Sequence, residues 1–218
     1  MDRLIIGITG SKGFLGQYLS QYLINKPNHQ VIELSSKLNT DHPNYFSIGK
    51  KINISTLKKI KVLIHCAHDF KNKDVNFQAS GIELIYKQIK ILNLNIKIIY
   101  ISSIAAFDNA RSLYGKSKYL SEIIVYRNKS IVIKPGIIYG DKNLKGLVNK
   151  IKNFTKKSIV APYFSNLNSK IYLTHIDDLC ESISLIIGNE QQGIYFCANK
   201  EPISFKELII KFSKRRNL

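Results

Sequence analysis

Four positions in the sequence carry groups able to move a proton and hold an oxygen atom in place. Ser102 and Ser103 end an apolar, isoleucine-rich run, and Tyr114 and Lys118 follow in YGKSK. Tyr114 and Lys118 lie four residues apart, so on a helix they occupy one face. In an open α/β sheet the ligand crevice lies beyond the C-terminal ends of the strands. Serines at a strand end and a Tyr–Lys face on the next helix would therefore meet on one side of the sheet. A Tyr-x-x-x-Lys pair alone also occurs on helix surfaces, where packing accounts for the tyrosine.

For these groups to act on a ligand, something must seat it. Leu4 to Gly16 reads LIIGITGSKGFLG: an apolar run of strand length broken by Gly10, Gly13 and Gly16. Phe14, Leu15, Tyr18, Leu19, Tyr22 and Leu23 then recur at helical spacing. Strand, glycine turn and helix N-terminus make a site for the pyrophosphate of a dinucleotide, with backbone approaching the phosphates and free helix N–H groups aimed at them. The spacing TGxxGxxG is a variant of the usual fingerprint, and glycines serving packing alone would leave an ordinary strand–turn–helix.

The remaining elements alternate. Strands are predicted at Gln30–Leu34, Val62–Ala67, Ile96–Ile101 and Ile131–Lys134, and helices at Asn76–Leu92 and Tyr114–Tyr126. Such alternation predicts a doubly wound parallel sheet with helices on both faces, of Rossmann type. The stretch 37–55 reads as polar, irregular and partly exposed. His175, Asp177 and Asp178 read as the cap of a helix beginning near Leu179. At the end of the second strand, where such folds meet the adenosine ribose, Ser35, Ser36 and Lys37 offer hydroxyls and a cation. These tolerate a 2′-phosphate and favour NADP over NAD. A shift of two residues would instead make Glu33 the ribose acid, and a plain polar loop is the third reading.

At 218 residues the chain suits one domain, 1–218, with about 141–218 adding a small substrate-side lobe. The N-terminal apolar run is too short for a signal peptide or a membrane span. Cys66, Cys180 and Cys197 are far apart in sequence and form no CxxC, which predicts reduced thiols and a cytoplasmic protein. His65 and His68 lack companions for a metal site and read as polar residues at a strand end. The formal charge of +18 comes from lysine scattered along the chain, with Arg215 and Arg216 at its end. No nucleic-acid recognition motif accompanies it, so specific nucleic-acid binding is not expected, although the field would attract an anionic ligand.

Taken in order, TGSKGFLG, VLIHCAH, Val75-Asn76, YISS, YGKSK, KPGIIYG (134–140), THIDDL (174–179) and GIYFCAN…EPISFKEL resemble the extended short-chain dehydrogenase/reductases. More narrowly, they resemble the NAD(P)-dependent epimerase/dehydratase branch, which acts mainly on nucleotide-activated sugars. The resemblance implies Tyr114 as catalytic acid/base, Lys118 as its partner and Ser103 as the substrate-orienting hydroxyl. It implies cofactor contacts from Gly10, Gly13, Phe14, Leu15, Gly16, Cys66, Ala67, His68, Asn76, Ser102, Tyr114 and Lys118, with Pro135 to Ile137 bounding the nicotinamide pocket. A free tyrosine has a pKa near 10, roughly three units too high for proton transfer near neutrality. Lowering it that far takes about 4 kcal/mol of preferential phenolate stabilisation, which a nearby ammonium and a positive nicotinamide can supply.

The chain departs from that branch in four places. The segment from Ser103 to Tyr114 is short, which alters the substrate side of the pocket. Ile104-Ala105 stands where sugar 4,6-dehydratases carry Asp-Glu, so that elimination is not expected. The acid the family shows near the adenine is missing from the Ile48 to Asn53 region, and little chain follows Leu208. The resemblance therefore implies an epimerase or keto-reductase of nucleotide-sugars. A reductase of another small carbonyl compound and a non-catalytic dinucleotide-binding or redox-sensing module are the alternatives. Apolar residues on more than one side of the helices at 82–89 and 119–126 suggest a homodimer.

Overall fold

The computed structural model describes residues 3–140, 168–189 and 191–214. Its centre is a six-stranded, wholly parallel sheet in the order β2-β1-β3-β4-β5-β9. The strands are β1 (Leu4–Thr9), β2 (His29–Leu34), β3 (Val62–His65), β4 (Lys97–Ile101), β5 (Ile131–Pro135) and β9 (Gly193–Cys197). Between and after them come α1 (Phe14–Ile24), α2 (Ile54–Lys59), α3 (Val75–Ile91), α4 (Leu113–Arg127) and α5 (Ile176–Ile187). Short β6 (Ile137–Tyr139) pairs with β8 (Leu173–His175), and β7 (Lys170–Ile171) pairs with β10 (Ile203–Ser204), ahead of α6 (Phe205–Lys214).

The inner strands β1, β3, β4 and β5 read as largely apolar runs because both faces of the sheet are covered there. Ile6, Ile8, Val62, Ile64, Ile99, Ile101, Ile131 and Ile133 pack against Leu15, Leu19 and Leu23 of α1 and Leu179 and Ile183 of α5. The alternate residues Leu63, Ile98, Tyr100 and Val132 pack on the opposite face with Leu57, Ile82, Ile85 and Val125 of α2, α3 and α4. Each such side chain, fully buried, stabilises the fold by about 1.5–3 kcal/mol.

Several expectations are corrected. The 37–55 stretch is partly exposed as expected, yet Phe46 and Ile52 are buried in the second core, and residue 45 bridges to Ser35. Helix α2 and strand β9 were not anticipated. Helix α5 begins at Ile176, three residues before Leu179, with His175 as its cap: His175 Nδ1 accepts from the Asp177 N–H at 3.4 Å. Within the segment assigned to a lobe, α5 and β9 belong to the central layers, while Ile171, Leu173, Ile203, Phe205 and Leu208 form a small separate cluster. The 141–167 portion of that lobe, and Arg215 and Arg216, lie outside the described residues. No described helix is long and apolar enough to cross a membrane.

Candidate active site

Beyond the C-terminal ends of β1, β3, β4 and β5 lies a cleft of about 1130 Å³. One end is the turn after β1. Gly10 has φ +68° there, a left-handed conformation that side-chained residues rarely adopt. A Cβ on Gly16 would stand 2.2 Å from the Gly10 carbonyl oxygen, so only glycine fits where α1 closes on the turn. Side chains cap α2, α3, α4 and α5, from Asn53, Asp74, Ser112 and His175. Helix α1 has no side-chain cap at Gly13, which leaves its first N–H groups facing the cleft for an anion. A glycine cradle and an uncapped helix terminus fit the pyrophosphate of a dinucleotide.

At the next strand end, Ser35 is committed to the fold. Its N–H donates to the Asn44 carbonyl at 3.2 Å and its Oγ accepts from the Lys37 N–H at 3.1 Å. Ser36 and Lys37 remain on the cleft wall. Glu33, the alternative ribose acid, is ion-paired with Lys12.

Strand β3 stops at His65, two residues before the predicted end, so Cys66, Ala67 and His68 fall into the cleft wall. His65 is buried beneath them; its Nδ1 lies 3.0 Å from Thr9 Oγ1 and its ring stacks on Tyr100. Burial, reinforced by the Lys118 charge, pushes its pKa down to about 3. His68 is driven down to about 3 by the same causes, and its Nδ1 is buried without a hydrogen-bond partner. Among the described residues, no group of three His, Cys, Asp or Glu is arranged to hold a metal. The thiols, distant in sequence, converge in space: Cys66 and Cys197 both act electrostatically on Cys180, and burial raises all three.

Ser102 and Ser103 follow β4, and Tyr114 sits in the first turn of α4, held by the Ser112 cap on the Gly115 N–H at 3.0 Å. Tyr114 is packed between rings: Phe70 stacks at 5.7 Å and 13°, and His68 meets it edge-on at 5.0 Å. Burial raises the Tyr114 phenol, and a hydrogen bond with the Ser103 hydroxyl opposes that rise. One turn on, Lys118 is 3% exposed. Its ammonium donates to the Ile101 carbonyl at 2.7 Å and lies 4.8 Å from the centre of the Tyr100 ring. Burial lowers it to about 8, against the pull of Cys66 and Glu122. The drop in tyrosine pKa expected from the lysine is thus not a property of the protein alone: the lysine faces a carbonyl, and the serine touches the phenol.

All the cofactor and catalytic candidates except Asn76 line this one cleft. Asn76 is exposed in the first turn of α3, where its N–H donates to Asp74. The sequence reading missed Lys12, Phe46, Ile48, Phe70 and Ile138 as lining residues. Phe46, Ile48 and Ile52, apolar at even spacing in a polar stretch, were the available signal for part of that wall.

The geometry can be set beside known proteins. No curated protein matches the chain by sequence. Among solved structures, ADP-L-glycero-D-manno-heptose-6-epimerase of Helicobacter pylori superposes with a TM-score of 0.79 at 15% identity, over 99% of this chain and 83% of that one. The dTDP-4-dehydrorhamnose reductase of Bacillus anthracis, solved with NADP, gives 0.78 at 22%, over 100% and 82%. The UDP-N-acetylglucosamine 4-epimerase of Bacillus cereus gives 0.77 at 19%, over 97% and 81%. At these identities the structures speak for the fold alone. The sequence pattern of one family spans residues 6–198, from the first strand to just past β9. With that match running through the glycine turn, the serines and the Tyr–Lys helix, the chain belongs to the NAD dependent epimerase/dehydratase family.

Proposed function

We propose that this protein is an NAD(P)-dependent enzyme acting at a carbinol or keto carbon of a nucleotide-sugar, as an epimerase or reductase. The observation that carries this reading is the meeting of Ser103, Tyr114 and Lys118 in the cleft whose other end is the glycine turn. In this reading Gly10, Gly13 and the α1 N-terminus take the pyrophosphate, and Pro135 to Ile137 border the nicotinamide. The bound dinucleotide supplies a centre that accepts or returns hydride. Ser103 holds the substrate oxygen beside the phenol, and Tyr114 carries the proton to or from it. Burial keeps Tyr114 as the neutral phenol, the form that donates to a ketone. Lys118, anchored on the Ile101 carbonyl one turn beyond the phenol, would supply positive charge to the site and hold the nicotinamide ribose. Ser36 and Lys37 at the adenosine end support NADP over NAD, and Lys12 removes Glu33 as a competing ribose acid. Ile104-Ala105 after the serine leaves no acid–base pair for 4,6-elimination, so dehydratase activity is not proposed.

A second reading, a dinucleotide-binding module without turnover, is favoured by Phe70 lying flat on Tyr114. The Tyr114→Phe variant separates the two. Incubated with reduced and oxidised nicotinamide dinucleotides and a panel of nucleotide-sugars, the wild type should interconvert or reduce at least one sugar. Tyr114→Phe should then lose about 10²–10⁴-fold in kcat, the usual worth of a positioned acid/base, while binding dinucleotide within about twofold. A wild type that binds dinucleotide but converts no nucleotide-sugar would overturn the nucleotide-sugar reading in favour of the module or of a reductase of another small carbonyl compound.

A further inference from the structure

Behind the cleft lies a buried ionic cluster that the mechanism above does not use. Glu122 falls on the same α4 face as Tyr114 and Lys118, one further turn along, and is buried with Ser102 and Lys134. Glu122 Oε1 accepts from the Ser102 hydroxyl, and Oε2 pairs with Lys134 Nζ at 2.8 Å. Lys134, at the end of β5, also donates to the Ala106 carbonyl at 2.5 Å, and its ammonium lies 5.8 Å from the centre of the Phe196 ring. Ala106 belongs to the turn that carries Ser103: the Ala106 N–H donates to the Ser103 carbonyl at 3.0 Å, and the Ile104 N–H to the Pro135 carbonyl at 3.0 Å.

One carboxylate and one ammonium therefore join four pieces: the end of β4, the serine turn, the Tyr–Lys helix and the end of β5. Burying both charges is costly, and an apolar pair of the same volume is often as stable or more so. Stability alone is a weak reason for such a pair in a sheet otherwise packed with isoleucine. Fixing Ser103 against Tyr114 is a stronger one, because an error of about 1 Å in such a geometry costs about 10²-fold in rate.

We propose that Glu122 and Lys134 are a positioning pair that holds the Ser103 turn in register with the Tyr114–Lys118 face. The inference rests on the triad reading above. It assigns Ser102 a structural task, its hydroxyl turned to Glu122 rather than to a ligand. Glu122 also acts on Lys118 through charge. Lys118 is faced by Tyr100 from β4, by His65, Cys66 and His68 from β3 and its loop, and by Tyr114 and Glu122 along α4. Glu122 is the carboxylate among them that favours its ammonium form.

The test is the double variant Glu122→Leu/Lys134→Met, which leaves no stray buried charge, beside Lys134→Arg, which keeps the ionic link. The double variant should fold and bind NADPH or NADH within about threefold of wild type. Its kcat should fall about 10–100-fold on whichever nucleotide-sugar the wild type converts, with KM little changed. Lys134→Arg should retain most of the activity. Independently of turnover, NMR titration of ¹³C-labelled lysine, assigned with Lys118→Arg, should show Lys118 losing its proton at lower pH in the double variant. Wild-type kcat together with an unmoved Lys118 titration would overturn the proposal. Should the wild type convert no sugar, the triad reading fails and the positioning role falls with it; an active wild type leaves the triad standing, and the double variant then decides the pair alone.

Discussion

Lys37 and Glu33 sit near the same strand end and would treat a ribose in opposite ways. Glu33 is occupied by Lys12, whereas Lys37 stays exposed on the cleft wall beside Ser36. An exposed cation facing a phosphate is worth about 1.4 kcal/mol, or about tenfold in affinity. Lys37→Ala should therefore weaken NADPH by about tenfold and NADH hardly at all, read by fluorescence titration of each. An equal loss for both would mean that Lys37 meets no 2′-phosphate. At this scale the sequence was readable where chemistry depends on short spacing. Glycines three apart and a Tyr–Lys pair four apart both landed in the cleft wall. Pairs formed across the fold were not readable: Lys12 meets Glu33, and Lys134 meets Glu122, only once helix and strand ends have been brought together, and neither partner carries a local signal.

Elements were legible where their apolar patterns are long. Strands β1, β3, β4 and β5 announce themselves as aliphatic runs because the inner sheet is covered on both faces, and α3 by its repeating buried stripe. Strand β9 escaped because it is an edge strand, with Ile194 and Phe196 exposed and only the alternate residues facing the core. Helix α2 escaped because six residues carry too little periodicity to register. The ends of elements depend on single polar groups, and two of these can be tested. Ser112→Ala removes the cap from α4 and should cost about 1 kcal/mol. Since Tyr114 lies in that first turn, dinucleotide affinity should survive better than turnover. At the other end of the sheet, the Lys97 ammonium donates to the Ile186 carbonyl at 2.7 Å and the Ile187 carbonyl at 3.0 Å, and also meets Asn189, at the C-terminus of α5. A cation on these carbonyls satisfies groups that the helix leaves open and opposes its dipole. Lys97→Met should cost about 1–2 kcal/mol, lowering Tm by roughly 2–8 °C in a chain of this size. Calorimetry showing no change would mean that water serves those carbonyls equally well.

Taken whole, the molecule sets a strongly positive chain around buried bases, and its response to acid follows from that. His65 lies beneath the cleft, shut from water and close to the Lys118 charge, and its folded pKa is about 3 against about 6.5 unfolded. Between those values the unfolded chain binds a proton that the folded chain refuses, so stability is complete above pH 6.5 and falls as the pH drops towards 3. From His65 alone the loss by pH 4.5 is roughly 2–3 kcal/mol, at about 1.4 kcal/mol per unit. His68 is shifted in the same direction but is less enclosed, and adds less. Lys118 works in another window: lowered to about 8, it gives up its proton in the folded state first, so its contribution to stability rises between about pH 8 and pH 10. Urea unfolding at a series of pH values should therefore show a shallow decline from pH 6.5 that steepens below 5. His65→Asn, which keeps a polar partner for Thr9 but cannot charge, should start less stable at pH 7 and decline less. If the two curves run parallel from pH 7 to pH 4.5, then His65 takes up its proton in the folded state, and the sealed floor beneath the cleft is more open to water than its packing indicates.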